Sequence, residues 1–294
     1  MNGIIAVDKP QDMTSHDVVS FLRRKTGEKR IGHGGTLDPM ATGVLPVFIG
    51  KATRVIEYVS RPGDREAKLY RCTMKLGMET DTQDIWGRVL TTNAAIPDIA
   101  EIERVLMGFE GPGTQLPPMY SAVKIGGRKL YEYARKGVTL DESLVKEREI
   151  YIKQIDVKEI DRAAGTALFD ILCSKGVYVR ALCADAGRLL GCGAVMSGLK
   201  RLKSDSFTMG SSVSFEELRD GPIPSLLPLD APIAWMPRID LDESEALSFT
   251  QGRIVELTDS GIPEDALRVY SKSGFIGIGR KNMNNELKPE KVLI

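Results

Sequence analysis

The residues best suited to chemistry lie in one glycine-rich stretch, residues 32–43, which contains His33 and the carboxylate Asp38. Four glycines and one proline in these twelve residues favour a defined backbone path over a generic linker. From the residues alone, three interpretations stay open: a phosphate cradle, a structural Asp-Pro turn, or a catalytic carboxylate held beside a histidine. The first is disfavoured because the lysine motif of a phosphate-binding loop does not follow.

Two other polar clusters have a simpler structural interpretation. Ser15, His16 and Asp17 are adjacent, whereas a catalytic triad is assembled from distant segments. We interpret Thr14 and this trio as the N-cap and acidic first turn of a helix. The acidic turn at 81–84 lacks the glycine position and the closing glutamate of an EF-hand. Two histidines and four cysteines without a CxxC pair do not predict a metal site.

Hydrophobic patterning predicts the elements that would position these residues. Residues 68–76 alternate between apolar and polar side chains, which predicts a strand with Tyr70 on its apolar face, and residues 167–174 alternate in the same way. Helices are predicted over 97–109 and over 181–190. Strands and helices in mixed order favour an α+β fold.

Composition limits the function classes. The 294 residues include 40 basic and 40 acidic side chains, so the net charge is zero and argues against a protein that holds polyanions by bulk charge. The local charge is uneven, with basic patches over 23–30, 121–137 (net +4) and 175–203 (net +5). Affinity for nucleic acid depends on such local arrangement. The patches therefore keep a nucleic-acid partner open.

The chain length predicts two domains. A proline-rich crossing over 222–237 leads to a boundary near Ile239, and short strands between turns follow it. Residues 239–294 carry a net charge of −3, which leaves +3 on residues 1–238. No apolar run approaches the length of a membrane span, and no signal-peptide pattern begins the chain, so a cytoplasmic protein with reduced cysteines is expected.

The stretch 32–46 resembles the catalytic-loop signature of the TruB family of tRNA pseudouridine synthases. Four further blocks resemble the other motifs of this family and occur in its order, namely 3–15, 68–82, 117–135 and 177–182 with Leu199 and Arg201. One departure is Gly34, where many relatives carry Thr or Ser; it changes no catalytic assignment.

The resemblance implies the fold and the reaction. The fold would be α+β, with a pseudouridine-synthase catalytic domain over 1–238 built on a mixed, mainly antiparallel sheet. An RNA-binding insertion would occupy about 105–150, and a small all-β PUA-like RNA-binding domain would occupy 239–294. The implied reaction isomerises uridine 55 in the T-loop of tRNA to pseudouridine, without a cofactor or metal. The enzyme would bind the T-arm of tRNA. It would act as a monomer, without an obligatory protein partner and without a membrane.

The same resemblance assigns catalytic roles to three residues. Asp38 would be the nucleophile, attacking C6 of the base or C1′ of the ribose. Arg180 would pair with it and hold it ionised. Tyr70 would stack on the target base and is a candidate to move a proton; without the resemblance, core packing explains it equally well.

Substrate-binding roles follow for six more residues. His33 would fill the space that the flipped uridine leaves, while Lys9 and Leu199 would support the pocket. The cations expected to bind the T-arm are Lys124, Arg128 and Lys129, for which an ordinary solvated charged face is the alternative. Two alternative functions stay open: a tRNA-folding chaperone, and a guide-RNA-dependent relative of the same fold.

Overall fold

The computed structural model of the protein describes residues 1–121, 123–134, 138, 145–258, 261 and 265–294. The α-helices in these residues are α1 (Ser15–Thr26), α2 (Ile99–Met107), α3 (Leu130–Ala134), α4 (Val179–Leu189), α5 (Phe215–Asp220) and α6 (Glu243–Thr250). The strands are β1 (Gly3–Lys9), β2 (Ile31–His33), β3 (Thr42–Ile49), β4 (Lys68–Leu76), β5 (Met78–Thr80), β6 (Val89–Thr92), β7 (Gly111–Gln115), β8 (Lys124–Ile125), β9 (Arg128–Lys129), β10 (Arg148–Asp161), β11 (Thr166–Cys173), β12 (Ala194–Ser204), β13 (Phe207–Thr208), β14 (Ser212–Ser214), β15 (Arg238–Asp240), β16 (Val255–Glu256), β17 (Ala266–Ser271), β18 (Gly274–Lys281) and β19 (Glu286–Val292).

Ten of these strands form the main sheet, in the order β14-β1-β3-β12-β4-β11-β10-β7, with β2 added to β3 and β13 to β12. The β1–β14 and β3–β12 pairs are parallel, and the other pairs are antiparallel. The predicted α+β class with a mixed, mainly antiparallel sheet is therefore confirmed.

The central strands show why the alternating sequence folds as it does. Along β4, Tyr70, Cys72 and Met74 are buried, and Arg71 between them is exposed. The buried face packs against side chains of β11 and α4 in one apolar cluster. The predicted strand over 68–76 is confirmed at both ends. The helices predicted over 97–109 and 181–190 are α2 and α4, each within two residues of the predicted ends.

Helix α1 confirms the structural interpretation of the Ser15-His16-Asp17 trio. The Thr14 hydroxyl accepts a hydrogen bond from the backbone N–H of Asp17, whose carboxylate accepts one from the backbone N–H of Thr14, which is a capping box. His16 is exposed. Gly27, at a φ of 70°, ends the helix. No catalytic triad forms from these three described residues.

The C-terminal segment forms a second sheet of five strands in the order β15-β17-β18-β19-β16. Helix α6, which the strand signals did not predict, packs its buried Phe249 into the apolar cluster of this sheet. Among the contacts of this sheet with the main body are those from two short 3₁₀ helices, Gly50–Arg54 and Ile56–Tyr58. The domain division at 238/239 stays a prediction.

The basic segment over 121–137 contains a β8–β9 hairpin followed by α3. Gly126 and Gly127 make its two-residue turn at φ values of 57° and 82°, a conformation that favours glycine. Arg135 and Lys136, counted in the predicted basic patch, lie outside the described residues. Among the described helices, none has the length and apolar character needed to cross a bilayer.

Candidate active site

Asp38 lies in the loop between β2 and β3, and the loop is held at its neighbours. The buried hydroxyl of Ser15 accepts a hydrogen bond from the backbone N–H of Leu37 (2.8 Å) and donates one to the carbonyl of Leu37 (3.1 Å). The backbone N–H of Ala41 donates to the carbonyl of Asp38 (3.0 Å), which closes a turn. Ser15 therefore fixes the backbone next to Asp38.

Arg180, in the first turn of α4, points at Asp38. Its Nε lies 2.9 Å from Asp38 Oδ2 and its Nη2 lies 3.4 Å from Oδ1. The remaining donors bind backbone: Nη1 donates to the carbonyl of Thr82 (3.1 Å) and Nη2 to that of Tyr120 (2.8 Å). The guanidinium is nearly inaccessible, with 6 % of its side chain exposed. Because two backbone carbonyls fix the planar guanidinium group, its orientation toward Asp38 is set before any substrate binds.

A second carboxylate, Asp84, borders this pair. Its Oδ2 lies 3.7 Å from Arg180 Nη1, and its Oδ1 accepts hydrogen bonds from the Thr82 hydroxyl (2.8 Å) and from the backbone N–H of Trp86 (3.1 Å). Asp84 thus ties the turn at 81–84, which the sequence showed only as acidic, to Arg180. In the described residues, no group of three or more His, Cys, Asp or Glu is placed to hold a metal ion.

Opposing effects act on the Asp38 carboxyl. About a third of its side chain is exposed (35 %), and protein encloses the rest. Burial raises the pKa of Asp38 above its ordinary value, Arg180 lowers it, Asp84 raises it and Lys9 lowers it. Burial makes the largest contribution, so the pKa of Asp38 is raised overall.

Lys9 is fully buried and binds backbone. Its ammonium donates to the carbonyls of Met13 (2.6 Å), Pro10 (2.8 Å) and Pro39 (3.4 Å). Burial lowers the pKa of Lys9 to about 8, although Asp38 nearby raises it. This geometry makes Lys9 a support of the loop that follows Asp38.

Arg201 also supports the Asp38 loop, although the count of local charge suggested a surface position for it. The sequence counted it in the surface patch over 175–203, yet it is 1 % exposed. Its guanidinium donates to the carbonyls of Val44 (2.7 Å), Gly35 (3.1 Å) and Thr36 (3.4 Å). The match to the arginine motif indicated its importance, but no local pattern showed these partners.

Gly43 allows this close approach between β3 and β12. Its φ is 99°, and a Cβ atom on it would lie 2.2 Å from the carbonyl oxygen of Arg201. A larger residue fits neither the backbone conformation nor the space.

The two predicted ring residues lie at the edge of the loop. Tyr70 is buried in the same apolar cluster as Leu37 and Met40, which flank Asp38. Burial raises the pKa of the Tyr70 phenol, so it is protonated at neutral pH. His33 is the last residue of β2, and burial lowers its pKa, so its imidazole is neutral at pH 7. Its Nδ1 is buried with no hydrogen-bond partner among the described residues.

A groove of about 310 Å³ opens beside the loop. The predicted Leu199 lines it, as do Met40 and Thr42 from the end of the Asp38 loop. The remaining lining residues are Gln11, Arg71, Thr73, Trp86, Leu168, Ser197, Gly198 and Lys200. Trp86 was not among the predicted site residues.

The predicted RNA-binding cations are separate from this cluster. Lys124 and Arg128 are exposed on the β8–β9 hairpin, and the Lys129 ammonium lies 5.4 Å from the centre of the Tyr131 ring. The hairpin is linked to the Asp38–Arg180 pair through Tyr120, which precedes the hairpin and whose carbonyl accepts a hydrogen bond from Arg180. Their position is compatible with an RNA-binding surface and with a solvated face.

Gln115 is another residue that the sequence reasoning missed. Its amide oxygen accepts from the backbone N–H of Tyr178 (2.9 Å), and its amide nitrogen donates to the carbonyl of Tyr178 (3.2 Å). This paired contact fixes the start of α4, two residues before Arg180. Nothing in the local pattern at Gln115 signals it.

Three family models match the chain. The model described as TruB family pseudouridylate synthase (N terminal domain) matches residues 23–179. The tRNA pseudouridylate synthase B C-terminal domain matches 180–223, and Pseudouridine synthase II TruB, C-terminal, matches 237–293.

Curated relatives match over nearly the whole length. The chain is 39 % identical to the tRNA pseudouridine synthase B of Alkaliphilus oremlandii, covering 100 % of this chain and 98 % of that protein. It is also 39 % identical to the protein of the same name from Clostridium tetani, covering 96 % of each.

Solved structures share the fold. A chain in the crystal structure of a Cbf5-Nop10-Gar1 complex aligns with a TM-score of 0.71 at 25 % identity, covering 99 % of this chain and 85 % of that one. A chain in the structure of an H/ACA RNP bound to a substrate RNA containing 2′-deoxyuridine aligns with a TM-score of 0.69 at 22 % identity, with the same coverage.

Proposed function

The chain belongs to the TruB family of pseudouridylate synthases, and from that membership we propose that it converts uridine 55 in the T-loop of tRNA to pseudouridine. The family makes it an isomerase. The tRNA substrate is supported by the relatives, which are named tRNA pseudouridine synthase B. The observation that carries the proposal is the ion pair between Asp38 and Arg180, held in a braced loop beside an open groove.

Asp38 is the proposed nucleophile. The isomerisation breaks the N1–C1′ bond of uridine and forms a C5–C1′ bond, while C5 loses a proton and N1 gains one. No oxidant, reductant or second substrate is consumed. A carboxylate attacks and leaves readily, whether at C6 of the base or at C1′ of the ribose. Arg180 supports this role because it favours the ionised form and fixes its direction.

The target base must leave the stacked RNA to reach Asp38. Such flipping costs a few kcal/mol, which contacts with the extruded base and the vacated stack offset. Tyr70 is the proposed contact of the extruded base, Leu199 is a proposed support of its pocket, and the neutral imidazole of His33 is the proposed filler of the vacated space. The burial of Tyr70 beside the loop and the position of Leu199 in the groove support these assignments.

The β8–β9 hairpin is the proposed T-arm contact. Lys124 and Arg128 are exposed there and can reach phosphates, with Lys129 beside them. The carbonyl of Tyr120, four residues before Lys124, accepts a hydrogen bond from Arg180, so the hairpin follows closely on a residue that contacts the candidate active site. In this proposal the protein acts on tRNA alone, without a guide RNA.

The test is to incubate the purified protein with an unmodified tRNA transcript and to map pseudouridine chemically. We expect product at position 55 from the wild type and none from Asp38→Asn, because an amide is no nucleophile. Binding of tRNA by Asp38→Asn should be preserved. The matched control is Asp185→Asn, which changes a partly exposed aspartate paired with Arg188 and should retain activity.

Other outcomes identify the alternatives. Binding and refolding of tRNA without product from the wild type would indicate a chaperone. Product that appears only when a guide RNA is added would indicate a guide-dependent enzyme. Loss of tRNA binding by Asp38→Asn would assign Asp38 a structural role.

A further inference from the structure

Trp86 is exposed where its chemistry favours burial. It is one of two tryptophans in the sequence, and 51 % of its surface is accessible. Tryptophan contributes a large apolar surface and is usually well buried. A solvent-facing indole in a groove is a surface that a flat ligand can cover.

The groove next to Trp86 is continuous with the Asp38 loop. Met40 and Thr42, which follow Asp38 by two and four residues, line the same 310 Å³ space, and so does Leu199. A ligand portion lying on Trp86 is therefore next to the portion that reaches Asp38.

The backbone of Trp86 is fixed to the catalytic pair. Its N–H donates to Asp84 Oδ1 (3.1 Å), and Asp84 Oδ2 lies 3.7 Å from the guanidinium that contacts Asp38. The preceding residue, Ile85, donates its N–H to the carbonyl of Met196 on β12 (2.9 Å). A ligand that covers the indole loses little free energy in ordering this segment, because it is already held.

The chemistry of the groove suits a nucleotide. Arg71 and Lys200 contribute cations to the lining, and Gln11 contributes an amide. Arg71 also pairs with Asp170, and Lys200 lies 3.9 Å from Asp8. Cations neutralise phosphates, and an indole face accepts any nucleobase by stacking. A ligand that offers a base and a phosphate next to the target uridine is a strand of RNA.

We propose that Trp86 is a stacking platform for a nucleobase that flanks the target uridine. This rests on the proposed RNA substrate and adds to it a residue that positions the strand. Trp86 is a positioning residue and does not take part in the bond changes at Asp38.

Tryptophan fluorescence tests the contact directly. In a Trp235→Phe background, Trp86 is the only tryptophan of the sequence. Titration with an unmodified T-arm stem-loop should quench and shift its emission. Stem-loops with a single abasic site, scanned through the loop, should include one position that binds without the quench. Unchanged emission on binding would overturn the proposal.

Kinetics provide the second test. Trp86→Ala should raise KM by roughly 5- to 140-fold, the range that corresponds to about 1–3 kcal/mol for one stacked base, while kcat changes little. Trp86→Phe should recover most of the loss, and the abasic substrate should show no further loss with Trp86→Ala. Unchanged KM in Trp86→Ala would overturn the proposal, as would a fall confined to kcat. Because the fluorescence titration needs only binding, it supports or overturns stacking even where product at position 55 is not formed.

Discussion

At Asp38, burial and neighbouring charges act on one carboxyl group in opposite directions. Burial raises its pKa, Arg180 and Lys9 lower it, and Asp84 raises it. A carboxyl enclosed by protein would be a weak nucleophile if it stayed protonated, so Arg180 matters for its charge state as well as its orientation. If Asp38 is the nucleophile, the pH at which it becomes reactive therefore depends on these three charged neighbours.

The pH profile of single-turnover pseudouridine formation should show this balance. If Asp38 is the nucleophile, only its ionised form reacts, so the rate should fall as the pH is lowered through the raised pKa of Asp38. Removing the guanidinium in Arg180→Met raises that pKa further, and the acid limb should move to higher pH by about 1–3 units. Asp84→Asn removes a charge that raises the pKa, so its acid limb should move to lower pH.

Arg219→Met is the control for loss of an arginine, since Arg219 pairs with Asp220 on the surface. Its profile should match that of the wild type. An acid limb in the same place in Arg180→Met and Asp84→Asn would contradict the assignment of this limb to Asp38.

At the scale of elements, the sequence predicts those helices and strands that are determined by a local pattern of residues. Alternation along β4 and the caps of α1 were sufficient to predict both elements, because the burial and hydrogen bonds that form them are local. Strand β12 was not predicted, because Lys200, Arg201 and Lys203 resemble a solvated run. The loop carbonyls that satisfy Arg201 lie more than 150 residues away in sequence, and only the folded sheet reveals them.

The same limit applies to the candidate site. The family resemblance predicted the pairing of Asp38 with Arg180, and the structure brings the two side chains together. Asp84 and Gln115 act through contacts with segments distant in sequence, so neither carries a local signal. The roles assigned to Tyr70 and His33 stay predictions.

The β8–β9 hairpin has a prediction of its own. If it binds the T-arm, Lys124→Ala and Arg128→Ala should each reduce the slope of log affinity for tRNA against log salt by about 1, since each removes one phosphate contact. Both side chains are exposed, so folding should be unaffected. Filter binding at several salt concentrations measures the slope.

Lys158→Ala is the matched control, because Lys158 is an exposed cation paired with Asp156 on β10. It should leave the slope unchanged. Equal slopes for the hairpin variants and the wild type would mean that the hairpin is a solvated face.

At the scale of the whole molecule, the C-terminal sheet is joined to the body by a mixed contact. An apolar cluster across the junction includes Val55, Met236 and Ile278. Around it, the Arg54 guanidinium donates to the carbonyl of Val292 (2.6 Å), and the Tyr58 hydroxyl donates to Glu290 (2.9 Å). The net charges of +3 and −3 on residues 1–238 and 239–294 thus belong to segments in direct contact.

Buried apolar contact should outweigh surface charge in holding this junction. Val55→Asp places an unpaired carboxyl in a fully buried position and should lower the free energy of unfolding by roughly 3 kcal/mol or more. Glu57→Gln removes only the ion pair to Lys291 (2.7 Å), in which Glu57 is mostly exposed, and should cost about 0–1 kcal/mol. Urea denaturation measures both. A cost for Glu57→Gln equal to that for Val55→Asp would show that charge dominates.

The late position of β12 in the chain has a consequence for when the main sheet and the Asp38–Arg180 pair can form during synthesis. β12 lies between β3 and β4 and pairs in parallel with β3, so the middle of the sheet closes only after residue 204 has been made. Asp38 likewise waits for Arg180, 142 residues later. Contacts of such long sequence separation form late and slowly. In a nascent chain the Asp38 carboxyl is therefore made well before its partner, and the ion pair can form only after Arg180 has been synthesised.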